Sequence, residues 1–218
     1  MLKRQEHFIP ALAYHFLTPL YDPVMRTLLR ETRFKRHLLA LAEIESGQQV
    51  LDLGCGTATL TLLLKRQYPE TTVVGLDADP EALKLARRKL TQAHVQATLT
   101  EGTATALPYA DGSFDRVLSS LLFHHLTEEQ TVQAAQEVYR VLKPAGSFFV
   151  ADWGKAESLW MRLAFVGVQL LDGFPTTAKN VAGALPRLFA QAGFVQVRQR
   201  ASYATLFGTL ALFQAKKA

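Results

Sequence analysis

The sequence predicts a doubly wound α/β fold: a mostly parallel sheet with helices on both faces, in one domain of 218 residues. Three observations predict it. From residue 49 onward, short β-branched runs alternate with longer stretches of helical periodicity, the pattern of parallel strands joined by helical crossovers. The apolar run Val50–Leu53 passes straight into two close glycines, Gly54 and Gly56, and then into a helix, the place where such sheets receive ligands. An acidic residue, Asp77, ends the next apolar run 21 positions after Gly56.

In chain order, residues 1–45 read as a helical N-terminal lid interrupted by prolines at positions 10, 19 and 23. Residues 46–152 form the predicted core, with strands at Gln49–Leu53, Thr72–Asp77, Ala97–Thr100, Arg116–Leu121 and Ser147–Asp152. Helices are predicted between them at Thr57–Arg66, Pro80–Thr91 and Glu128–Leu142. The second opens on Asp79-Pro80, an N-cap followed by proline at the first helical position. Residues 153–178 are a second candidate lid. In residues 179–218, a helix ending at Ala192-Gly193 precedes two strand-like runs, Val195–Ala201 and Leu206–Ala215, close enough to pair as a hairpin and give the sheet an antiparallel strand near its edge.

Composition narrows the function classes. A hydrophobic fraction of 49% with 20% charged residues excludes a disordered chain. The first residues lack an apolar secretory segment, and the greasiest stretch, Leu159 to Leu171, is shorter than the roughly 20 apolar residues of a membrane span. One cysteine, Cys55, leaves no internal disulfide and no cysteine-based zinc site, so no metal is expected and a cytoplasmic location is. The net charge of +5 is scattered. Its densest group, Arg26, Arg30, Arg33, Lys35 and Arg36, has the spacing of one solvated helix face. No nucleic-acid partner is therefore expected, while peripheral contact with an anionic membrane is compatible with the charge.

Two features of the glycine turn choose among nucleotides. Thr59 stands where a dinucleotide fingerprint has its third glycine, which argues against NAD. The Asp52 carboxylate would repel a pyrophosphate and attract a cation, such as the ammonium and sulfonium of S-adenosylmethionine. Asp77 is the candidate ribose acceptor, because one carboxylate takes hydrogen bonds from both ribose hydroxyls; its alternative role, capping the next helix, is already met by Asp79. Cys55 stands near a helix N-terminus, where a thiol can be reactive, but a small residue between two glycines needs no such explanation.

On these residues the chain resembles the class I S-adenosylmethionine-dependent methyltransferases. Val50–Thr61, Val74–Leu83, Glu101–Val117 and Glu137–Asp152 are similar to four successive motifs of that superfamily. Ala106-Leu107-Pro108-Tyr109-Ala110-Asp111-Gly112-Ser113-Phe114-Asp115 and Val138-Tyr139-Arg140-Val141-Leu142-Lys143-Pro144-Ala145-Gly146 resemble the ubiquinone/menaquinone C-methyltransferase branch, or methyltransferase type 11. The resemblance implies a Rossmann-like sheet of seven strands. It also implies S-adenosyl-L-methionine as cofactor and S-adenosyl-L-homocysteine as product. It puts Asp52, Gly54 and Gly56 around the methionine moiety, Asp77 and its neighbour Ala78 at the ribose, Thr103 and Ala104 beside adenine, and Leu121 on the methionine side. Tyr14 or Tyr21 would lie over the cofactor. Thr103 departs from the family, which usually has aspartate there.

Methyl transfer is an in-line displacement, driven largely by positioning and water exclusion. A phenolic acceptor would also need a base, and His124 and His125, after the fourth predicted strand, are the candidates; capping or loop packing is their alternative role. Aromatic side chains in the two lids (Phe8, Tyr14, Phe16, Tyr21, Trp160, Phe165, Phe174) could wall a pocket for a small or lipophilic acceptor or pack as core. Two further readings stay open: methylation of RNA or protein, and a cofactor-binding module without turnover.

Overall fold

Strand β1 (Gln49–Leu53) is buried on both faces, so its side chains divide between two cores. Leu51 and Leu53 join one and Val50 the other, an alternation continued by Val117 against Leu118 in β4 (Phe114–Ser120) and by Phe148 and Val150 against Phe149 and Ala151 in β5 (Leu142–Trp153). Two-sided burial of this kind is the condition of a parallel sheet covered by helices. The computed structural model describes residues 31–155, 182–205 and 208–218.

With β2 (Thr72–Asp77), β3 (Thr98–Glu101), β6 (Val195–Thr205) and β7 (Gly208–Lys216), the sheet has seven strands in the order β3-β2-β1-β4-β5-β7-β6. The first five pair in parallel and β7 runs antiparallel to both its neighbours, the mostly parallel arrangement expected. Helix α1 (Glu31–Leu41) packs against β5 and α2 (Thr59–Gln67), while α4 (Glu128–Val141) and α5 (Leu185–Gln191) cover the other face. Helix α3 (Pro80–Gln92) lies between β2 and β3 in the chain and opens as expected: the Asp79 carboxylate accepts the Glu81 N–H at 2.8 Å. Among the described residues no helix is long and apolar enough to cross a membrane.

Several boundaries move, each for a backbone reason. The helix expected from Thr57 begins at Thr59, because Gly56 and Ala58 both adopt positive φ (52° and 61°), which a helix does not admit. The strand expected at Arg116–Leu121 ends at Ser120, since Leu121 turns into the left-handed region at φ 59°; its start moves back to Phe114, which pairs with Leu142. After that pair the register jumps to Arg116 with Ser147, so β5 begins at Leu142 rather than Ser147 and carries residues 143–146 as a bulge. β3 lies one residue later than expected, at Thr98–Glu101, where its register with β2 sets Glu101 opposite Asp77.

In the described part of the expected N-terminal lid, residues 31–45, α1 puts one side into the core. Phe34, Leu38 and Leu39 are at most 1% exposed and pack with Val50, Leu60 and Leu118. Lys35 also corrects the expectation of a solvated basic face, because it is buried and ion-paired with Glu31 one turn earlier. Arg33 and Arg36 are exposed, whereas Arg26 and Arg30 lie outside the described residues.

Candidate functional site

The strand order reverses between β1, which leads to β2 and β3, and β4, which leads to β5. A crevice forms at such a point outside the carboxyl ends of the strands. The turn after β1 meets the turn after β4 there: a Cβ on Gly54 would stand 3.0 Å from the Leu122 side chain, so a larger residue at position 54 would have to displace that side chain. Gly56 differs, since a Cβ on it would meet nothing within 4 Å. Its backbone therefore borders open space, as a cradle for a ligand requires.

Asp52 stands at the base of this turn, 1% exposed. Its Oδ2 accepts a hydrogen bond from Thr61 Oγ1 at 2.6 Å, while its Oδ1 is buried with no hydrogen-bond partner. Burial pushes the carboxyl up to about 6, against the opposing effects of the Thr61 bond and the Lys35 ammonium. Because the folded-state value lies above the unfolded one, ionisation works against the fold. Stability is fully present below pH 4 and is lost as pH rises through about 6. Asp52→Asn does not titrate. Its unfolding free energy relative to wild type therefore rises by on the order of 2 to 3 kcal/mol between pH 4 and pH 7, measured by urea unfolding of the ligand-free proteins. A difference that stays flat with pH would mean that the carboxylate is already compensated.

Asp77 closes the other side of the turn. Its Oδ2 accepts the Gly56 N–H at 2.7 Å and its Oδ1 accepts the Asp79 N–H at 2.9 Å, so it ties the glycine turn to the start of α3. Burial raises its carboxyl despite these bonds. From α3, the Lys89 ammonium donates to Thr57 Oγ1 at 2.8 Å and to Thr59 Oγ1 at 3.0 Å, a second brace that the sequence did not reveal. Cys55 is buried between the glycines, and burial with two neighbouring aspartates pushes its thiol up, the opposite of a reactive cysteine.

Beyond β3, Thr103 is exposed, with its hydroxyl 3.3 Å from that of Thr105, and Ala104 packs against the core. Ala78 is half-buried beside Asp77, and Leu121 is half-buried at the end of β4. Tyr14, Tyr21 and the aromatic residues of both expected lids lie outside the described residues.

The two histidines fall at the carboxyl edge, in a single 3-10 turn, Phe123–His125, with their rings 3.9 Å apart. Neither is needed as a helix cap, because Thr127 caps α4 through a reciprocal box with Gln130. His124 is 4% exposed and its Nδ1 lies 2.9 Å from Asp152 Oδ1. Asp152, 0% exposed, also receives the Phe123 N–H on Oδ2 and the Trp153 N–H on Oδ1, both at 2.7 Å. A carboxylate ringed by donors takes the imidazole proton on Nδ1 and leaves Nε2 as the acceptor.

Comparison with known proteins bears on the family and the fold. A family model described as a methyltransferase domain matches residues 50–146. An uncharacterized methyltransferase of Synechocystis sp. is 37% identical over 189 residues, 85% of this chain and 84% of that protein. The demethylmenaquinone methyltransferase of Thermus thermophilus is 35% identical over 139 residues, 63% of this chain, and the match spans 62% of that enzyme's length. The crystal structure of a SAM-dependent methyltransferase from Aquifex aeolicus superposes with a TM-score of 0.68 at 18% identity, covering 93% of this chain and 97% of that one. At that identity the likeness speaks for the fold alone.

Proposed function

Because the chain belongs to the class I S-adenosylmethionine-dependent methyltransferases, in the ubiquinone/menaquinone C-methyltransferase branch, we propose that it binds S-adenosylmethionine at the β1–β2 turns and methylates a small lipophilic acceptor of the quinol type. One observation carries the cofactor assignment: an unpartnered, buried Asp52 oxygen stands beside a glycine whose backbone faces open space. That pair suits a cationic amino-acid end joined to a nucleoside and opposes a pyrophosphate.

When bound, S-adenosylmethionine supplies an electrophilic methyl group for in-line displacement. Asp52, Gly54, Gly56 and Leu121 hold its methionine side, Asp77 and Ala78 the ribose, and Thr103 and Ala104 the adenine. Asp77 already accepts two backbone N–H groups, yet each carboxylate oxygen retains a second lone pair for a ribose hydroxyl. His124 acts as the base, taking a phenolic proton from the acceptor on Nε2 while Asp152 fixes its ring; His125 packs beside it. The quinol reading of the acceptor draws on the Thermus relative, a demethylmenaquinone methyltransferase.

The test is thermal unfolding with S-adenosylhomocysteine and, separately, with NAD. At 100 times Kd the homocysteine nucleoside adds about 2.7 kcal/mol, roughly 5 to 10 °C for a domain of this size. Incubation with S-adenosylmethionine and a demethylated naphthoquinol then gives a methylated product by mass spectrometry. A shift with NAD alone would overturn the cofactor assignment. A shift with S-adenosylhomocysteine and no methylated quinol would overturn the acceptor.

A further inference from the structure

The unpartnered oxygen of Asp52 has a counterpart on α1. Glu31 is 3% exposed, with one carboxylate oxygen bonded to the Lys35 ammonium and the other, Oε2, buried without a hydrogen-bond partner. Lys35 is itself 7% exposed, and its charge reaches Asp52, whose carboxyl it lowers. Among the described residues the only acceptor for its three N–H protons is Glu31 Oε1. Two buried carboxylate oxygens without partners and a buried ammonium with spare donors therefore lie on the side of β1 that α1 covers. Buried ionic groups left short of partners are costly, and a ligand able to complete them recovers that cost.

The inventory specifies the ligand. With both carboxylates ionised the three side chains sum to a single negative charge, so the complement must bring a cation. The spare protons of Lys35 ask in addition for an anionic acceptor close to that cation. Among the described residues no group of three or more His, Cys, Asp or Glu could hold a metal ion. An ammonium and a carboxylate on adjacent atoms, the α-amino-acid zwitterion, meet both demands at once. We propose that Glu31, Lys35 and Asp52 form a zwitterion receptor, in which the two acids take the ammonium and Lys35 the carboxylate of the cofactor's methionine end. This rests on the cofactor assignment above, and it adds two residues of α1 to the binding site.

The sequence spacing supports the assignment. Glu31 and Lys35 are four residues apart, so one turn of α1 aims both side chains the same way. Asp52 leaves β1 on the face that carries Val50, the face against which α1 packs.

The test is titration calorimetry with S-adenosylhomocysteine, which carries the zwitterion, and 5′-methylthioadenosine, which keeps the nucleoside and sulfur but lacks the amino-acid end. Glu31→Gln and Lys35→Met each weaken S-adenosylhomocysteine roughly 10-fold or more, as loss of a charge-assisted hydrogen bond requires, and leave methylthioadenosine unchanged. If burial of a single unmatched charge stops either variant from folding, the double variant, which removes no net charge, gives the same selective loss. Equal weakening of the two ligands would show that these residues act only through the fold, and unchanged S-adenosylhomocysteine binding would likewise overturn the proposal. Failure of the wild type to bind S-adenosylhomocysteine at all would instead refute the cofactor assignment.

Discussion

Asp152→Asn lowers turnover by about 100-fold or more while S-adenosylhomocysteine binds as before. The reason is donor bookkeeping. Asp152 accepts N–H groups of Phe123, His124 and Trp153 across both carboxylate oxygens, and asparagine can accept on one oxygen only. If the amide N–H faces the imidazole, the proton of His124 moves to Nε2, where the acceptor's proton should go. If it faces Phe123 instead, two buried donors oppose each other at about 1–3 kcal/mol. A positioning role has its own signature in the pH profile. The defect shrinks at high pH, where a phenolic acceptor ionises without help. A variant with normal turnover, or with a loss that is the same at every pH, would make His124 a packing residue.

Phe123→Ala costs about 3–5 kcal/mol and lowers Tm by roughly 10 °C. Phe123 is fully buried and sits edge-on to Phe148 and Phe189, with ring centroids 5.8 and 5.3 Å away. It thus joins the turn after β4 to β5 and to α5, and its removal leaves a cavity against Phe148 and Phe189. Such aromatic contacts add to the burial term. Chemical denaturation would report the loss as a lower midpoint at unchanged slope. A loss below about 1 kcal/mol would mean that the neighbouring rings close the gap.

Those two residues mark where the sequence could be read and where it could not. Strands β1 and β2 were legible to the residue, because two-sided burial makes an unbroken apolar run and the glycines and Asp77 terminate the runs sharply. The Asp79 cap was equally plain. The start of β5 was hidden, since Leu142 reads as the last turn of α4 and only its pairing with Phe114 reveals a bulge. Lys35 looked like part of a solvated basic face for a similar reason: helical spacing says which residues share a face and not what the face meets. His124 could be placed at the carboxyl edge from the motif, but its carboxylate partner lies 28 residues away, and only the pairing of β4 with β5 brings the two together.

The outer hairpin has a consequence for how such a chain diverges over time. β7 is buried along most of its length, whereas β6 beside it, about 4.8 Å away, is mainly open to water and carries the exposed Arg198 and Arg200. A charge arising on β7 has no aqueous side to turn towards, while one arising on β6 is hydrated at once. Substitutions should accumulate in the last strand of the sheet and be purged from its neighbour. Evolutionary rate in this region is then set by which strand a position occupies, and hardly at all by its distance from the bound ligand.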